Sequence, residues 1–166
     1  MVRIQVSTYS FYELYKDKSP AEPALLYAIA LVESNLDPNA ARYEPNWKYP
    51  FRVNSFAKNL KITRDTELVF QSTSWGLMQI MGTVAREMGY DDPLTDLTNP
   101  HNNMRIACLK LSALYEKWNN LESVVSSYNQ GYPKKSNNGK FANQEYVDKV
   151  LKQYNLLKET LNLDIR

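Results

Sequence analysis

Apolar residues recur along much of the chain at intervals of three and four, the period of an amphipathic helix. The first clear run follows Ser19-Pro20-Ala21-Glu22, which reads as a capping box with proline at the first helical position. Leu25, Leu26, Ile29 and Val32 then predict a helix that stops around residues 33–35, where polar residues and Pro38 break the pattern. Residues 37–62 have no clean period and read as loop with short helical turns. A short helix is predicted from Asp65 to Gln71. Another, from Trp75 to Met88, is capped by Ser74 and stopped by Gly89. Asn99-Pro100 opens a helix carrying Met104, Ala107, Cys108, Leu111, Leu114, Tyr115 and Trp118. Asn120 caps a helix over residues 121–130 that ends at Gly131, and Val147, Val150, Leu151, Tyr154 and Leu157 line a last one. Period-two alternation is confined to Val2, Ile4 and Val6. The fold class is all-α, or α with a minor β element, and residues 1–166 form one domain in this reading.

One residue breaks the logic of its helix. Ala28 to Val32 are five apolar residues in a row, and Glu33 follows them into the last turn. Acidic side chains are disfavoured at the negative end of the helix dipole and are rarely buried unpaired. Partial burial and the dipole both disfavour the ionised carboxylate. A Glu kept protonated near neutral pH is what general-acid cleavage of a glycosidic bond requires. Taken alone, Glu33 fits better a carboxylate that turns to solvent or pairs with an arginine, since structural carboxylates outnumber catalytic ones.

Composition narrows the field. With 166 residues, 43% hydrophobic and 23% charged, the chain has the balance of a globular protein able to bury a core. Its net charge of +2 is too small to argue for nucleic acid, and Lys134-Lys135 fits a solvated loop, so no nucleic-acid partner is expected. One Cys and one His make neither an intramolecular disulfide nor a typical zinc site, so no cofactor or metal is expected. No apolar run reaches membrane-spanning length, and the N-terminal residues lack the apolar core of an export signal; no membrane insertion is expected. Twelve tyrosines and three tryptophans supply more aromatic faces than a core alone needs, and such faces stack on sugars.

Five short motifs occur in order: Glu33-Ser34, "GLMQIM" from Gly76 to Met81, Asn99-Pro100 with Asn103, "SYNQG" from Ser127 to Gly131, and Tyr146-Val147. Together, over about residues 20–155, they resemble the lytic transglycosylase domain, whose lysozyme-like helical fold is shared with goose-type lysozymes. The resemblance implies a peptidoglycan-cleaving enzyme with Glu33 as catalytic acid and Ser34 as the small polar residue beside it. It implies that Gly76, Met78 and Gln79 line a glycan cleft, with Met78 and Gln79 facing the sugar. Tyr128 and Asn129 match the pair that contacts substrate and braces the acid, and Tyr146 matches a late Tyr bordering the site. Leu77 and Ile80 read as core, Gly131 as a helix stop, and Asn99 and Asn103 as residues that cap and tie their helix.

The reaction so implied cleaves the bond between N-acetylmuramic acid and N-acetylglucosamine and closes a 1,6-anhydro ring, with one carboxylate serving as acid and then base. The stretch from Glu33 to Gly76 is longer than in compact bacterial members and looks most like phage-encoded ones. It supplies Glu44 and Glu67. Glu44, beside Tyr43, Trp47 and Tyr49, is a candidate second carboxylate for a hydrolytic muramidase; its alternative is a surface ion pair with Arg42. Glu67 near the start of its helix is explained by the dipole. A catalytically silent wall-binding or virion module is the reading from another class. The expected partner is the peptidoglycan glycan strand and the expected state a monomer, made in a cytoplasm and acting on the wall after release, as an endolysin does.

Overall fold

The computed structural model describes residues 6–164, with side chains from residue 9 to residue 160. Val2 and Ile4 of the weak alternation lie outside the described residues, and Val6 opens a helix. The elements are α1 (Val6–Glu13), α2 (Pro23–Ser34), β1 (Ala41–Tyr43), α3 (Val53–Leu60), α4 (Arg64–Gln71), β2 (Thr73–Trp75), β3 (Ile80–Met81), α5 (Gly82–Glu87), a 3-10 turn (Leu94–Thr98), α6 (Pro100–Lys117), α7 (Leu121–Gln130) and α8 (Gln144–Asp164). This is the all-α class with a minor β element. Among the described residues no helix is long and apolar enough to cross a membrane.

The chain divides into two compact units, residues 1–32 with 108–166, and residues 33–107. The first is helical. Tyr12 and Tyr27 meet edge to face at 5.3 Å, and Phe11 lies 5.5 Å from Tyr15. Leu111, Val124, Val125, Val147, Val150 and Leu157 fill the rest of its interior. Burial pushes the Tyr12 phenol above its ordinary range and the Cys108 thiol up to about 11.

The second unit contains α3, α4, α5 and a three-stranded antiparallel sheet in the order β1-β2-β3, with Ala41 opposite Trp75 and Trp75 opposite Ile80. Its interior is built by Phe56, Trp75, Met78, Ile80, Tyr90, Leu94, Leu97, Met104 and Ile106.

Three expectations are corrected. The helix expected at Pro20 starts at Pro23, because the residue before a proline is pushed out of the α region, and Glu22 becomes the hinge whose carbonyl accepts from Leu25 and Leu26. Ser19 Oγ accepts from the Ala21 amide in a local turn instead of capping the helix. The helix expected over residues 75–88 is a hairpin followed by the six-residue α5. Gly76 and Gln79 hold φ of 69° and 45°, which an α-helix does not allow, and Ser74 Oγ donates to Met81 Sδ across the hairpin instead of capping. The loop at 37–62 contains β1 and α3; α3 has Arg52 and Lys61 in left-handed conformation at its ends, a signal that proline- and aromatic-rich sequence conceals.

Candidate active site

Helix α2 ends at Ser34, and Asn35 and Leu36 follow with φ of 54° and 64°. Two consecutive left-handed non-glycine residues are costly, on the order of 1–3 kcal/mol each, and persist only where surrounding bonds fix them. Those bonds are present. The Asp37 amide donates to the Ser34 carbonyl, and Asp37 Oδ1 accepts from the Asn39 amide at 2.8 Å. Glu33 is half-buried in this last turn. Ser34 Oγ donates to the Leu77 carbonyl at 2.8 Å, so the residue beside the carboxylate is tied directly to the Gly76–Gln79 turn.

That turn is built by side chains. The Gly76 amide donates to the Ala40 carbonyl at 2.8 Å, and Gln79 Nε2 donates to the carbonyls of Gly76 and Ala40. Asn103, fully buried on α6, accepts the Met78 amide at 2.8 Å and donates to the Trp75 carbonyl at 2.7 Å. A Cβ on Gly76 would run into the Leu97 carbonyl and the Asn103 amide, so only glycine fits here, quite apart from its φ. Met78, expected to face the sugar, is 0% exposed and supports the turn from beneath, whereas Gln79 is half-buried and reaches the surface. Leu77 and Ile80 are buried, as core residues are, and Asn103 ties not only its own helix but the turn.

Tyr128, Asn129 and Tyr146 belong to the other unit. Tyr128 is buried near the end of α7, with the Lys110 ammonium 3.9 Å from its ring centroid and donating to its carbonyl at 2.8 Å. Asn129 is exposed, and its Oδ1 accepts from Asn143 Nδ2 at 3.1 Å. Asn143 also donates to the Ser126 carbonyl, accepts from Ser126 Oγ, and receives the Tyr146 amide on its own carbonyl. Asn143 thus gathers Asn129 and the start of α8, which carries the half-buried Tyr146. Neither Lys110 nor Asn143 stands out in the sequence; the available signal for Lys110 was a cation placed among Ala107, Cys108 and Leu111.

The stretch from Glu33 to Gly76 supplies the carboxylates of two Arg–Glu pairs. Arg42 Nε meets Glu44 Oε1 at 2.7 Å with both side chains partly exposed, the ion pair that was the alternative to a catalytic Glu44. Glu67 is another matter. It is fully buried and takes a two-pronged grip from Arg86, Nε to Oε1 at 2.8 Å and Nη2 to Oε2 at 3.1 Å. Gln71 Nε2 donates to Glu67 Oε1, Arg86 Nη1 donates to the carbonyls of Tyr90 and Asp92, and the Arg86 guanidinium lies 4.3 Å from the Phe56 ring centroid. The dipole account of Glu67 is therefore incomplete: the carboxylate is the hub of a buried network.

The last turn of α2 thus presents a half-buried Glu at a strained helix end tied to a side-chain-built turn beside a small sheet. The chain matches the family model described as the transglycosylase SLT domain over residues 11–151. That span is most of the chain, and the protein belongs to this family. Its members are lytic transglycosylases acting on peptidoglycan, and the protein is an enzyme of that class. No curated protein and no solved structure gives a significant match.

Proposed function

We propose that the enzyme cleaves the β-1,4 bond between N-acetylmuramic acid and N-acetylglucosamine without water, with Glu33 as its acid and base. The observation that carries this reading is the bond from Ser34 Oγ to the Leu77 carbonyl, which joins the Glu33 helix end to the Gly76–Gln79 turn. In the first step the Glu33 carboxyl gives its proton to the glycosidic oxygen, and the bond from that oxygen to C1 of the muramic acid breaks. The acetamido oxygen of the same sugar shares the positive charge left at C1. In the second step the Glu33 carboxylate takes the proton of the C6 hydroxyl, whose oxygen bonds to C1 and closes the 1,6-anhydro ring. Proton and electron pairs balance, and the enzyme returns to its starting state.

Gly76 and Gln79 line the glycan in this scheme, while Ser34 and Met78 hold the turn. For the exposed Asn129, the half-buried Tyr146 and the buried Tyr128, a substrate role rests on the motif resemblance alone. Glu44 has an ion-pair partner and is not required. Cell-wall lysis, as by an endolysin, is the role this chemistry suits.

The test is digestion of purified peptidoglycan with the wild type and with Glu33→Gln, read by mass spectrometry. Anhydro disaccharide-peptides, one water lighter than hydrolysis products, are expected from the wild type. Their rate of appearance falls by about 10²–10⁴ in the variant. Reducing ends from the wild type, or full activity in the variant, would overturn the reading.

A further inference from the structure

We propose that Tyr43, Trp47 and Tyr49 form a rigid stacking platform that binds a peptidoglycan glycan strand outside the bond-cleaving residues. The inference rests on the glycan-cleaving reading above, in that the same strand is the occupant. Tyr43 and Tyr49 are 53% and 71% exposed, so their aromatic faces are open to a ligand. Tyr49 lies edge to face with Trp47 at 5.6 Å, which gives one ring wall of two planes. Sugar rings present apolar C–H faces and polar edges, and this surface offers the complement. Tyr43 lies between Arg42 and Glu44 in the sequence, and the charged groups of that pair are partly open to solvent and able to meet hydroxyls and amides.

The segment that carries these rings is built, not loose. Trp47 Nε1 donates to Thr83 Oγ1 at 3.0 Å, and the Thr83 hydroxyl donates in turn to the Gln71 carbonyl. The Trp47 amide closes a turn onto the Glu44 carbonyl, and the Glu44 amide extends the strand pairing to Ser72. Two residues beyond Tyr49, the Gln71 amide clamps Phe51 by both its N–H, at 2.7 Å, and its C=O, at 2.8 Å. Gln71 is itself held by Glu67, and Glu67 by Arg86. A fully buried ion pair adds little net stability, yet its geometry is fixed, and here its outlet is the backbone of the aromatic segment. Rings fixed in advance lose little freedom when a ligand stacks on them.

Placement gives the occupant. Ala40, whose carbonyl holds both Gly76 and Gln79, leads directly into β1, and Tyr43 ends that strand about 10 Å further along. A polymer engaged at the Gly76–Gln79 turn has the platform within reach of its next sugars.

The test uses the full chain carrying Glu33→Gln, so that strands persist, and fluorescence anisotropy of end-labelled, peptide-free glycan strands from peptidoglycan. Tyr43→Ala and Tyr49→Ala are each expected to weaken binding about five- to tenfold, with Tyr43→Phe and Tyr49→Phe within about twofold of the parent. Leu109→Ala, at an exposed apolar position outside the platform, binds as the parent does. Thermal melts check folding, and each tyrosine decides the matter without the other. Ala variants that bind as tightly as the parent would overturn the platform, as would Phe variants that lose as much as Ala. So would binding to intact sacculi but not to peptide-free strands. If Glu33→Gln still shortens the strands, the catalytic assignment fails while the ratio of affinities continues to test the platform.

Discussion

The two compact units keep their buried polar groups in different ways. Residues 1–32 with 108–166 are helical, so most of their backbone is satisfied by the helices themselves, and the polar groups they bury include the uncharged phenols of Tyr12 and Tyr27, the thiol of Cys108 and the hydroxyls of Ser126 and Ser127. Residues 33–107 contain, besides their helices and small sheet, tight turns and a long aromatic segment that have no internal ladder of hydrogen bonds. Side chains do that work there: Asn103 for the Gly76–Gln79 turn, Gln71 for Phe51, and Arg86 for the carbonyls of Tyr90 and Asp92. Irregular backbone inside a protein demands buried amides and charges, and it is this irregular backbone that carries the exposed aromatic rings and the proposed catalytic turn. The contrast predicts where each unit is fragile.

The largest effect is expected from Glu67→Ala, which strands the Arg86 guanidinium in the interior. A loss of about 3–5 kcal/mol is predicted, read from urea unfolding. A loss under about 1 kcal/mol would show that the network does not hold this unit together. Asn103→Ala orphans the Met78 amide and the Trp75 carbonyl and is predicted to cost about 2–3 kcal/mol. Because the orphaned groups belong to the turn, peptidoglycan turnover should fall in the same variant even at temperatures where it is fully folded.

In the helical unit the weakness is alkali. Burial raises the Cys108 thiol from 9.0 to about 11 and moves the Tyr12 phenol in the same direction. A group whose folded pKa is raised contributes in full below its unfolded pKa and loses that contribution as pH climbs through the folded value. Stability should therefore be insensitive to these groups below about pH 9 and decline between about 9 and 11. Cys108→Ala should shallow that decline in a pH series of unfolding free energies. The smallest effect sharpens the comparison with Glu67. Arg42→Ala breaks an Arg–Glu pair of the same chemistry at the surface, and its cost should stay within about 0.5 kcal/mol by the same denaturation measurement.

The helix ends around the candidate site were legible because their signals are local. Asn99-Pro100 and Asn120 begin helices where residue chemistry requires, with Asn99 Oδ1 accepting from the His101 amide and Asn120 Oδ1 from the Ser123 amide. Gly89 and Gly131 take up left-handed φ at helix ends. The oddity of Glu33 was visible from its place in the run alone. What misled was Ser74 followed by apolar residues, a pattern shared by a capped helix and by a buried hairpin. The choice lay in the partners of that segment, Asn103 and Ala40, which are distant in sequence. Glu67 was misread for the same reason. At the first turn of α4 a dipole explains any carboxylate, and nothing nearby announces an arginine from α5 as its partner.

The sequence by itself determined the helical class, the ends of α4 and α7, the start of α6, the order of the motifs and the carboxylate in the last turn of α2, because caps, stops and periodicity act within a few residues. Only the tertiary structure decided that "GLMQIM" is a turn and a strand, that Met78 is buried while Gln79 is not, and that Glu44 and Glu67 have opposite fates. Those outcomes depend on which backbone groups are left without partners once the chain is compact. An unpaired buried amide is satisfied by whichever side chain the fold brings near, and sequence distance sets no limit on that choice.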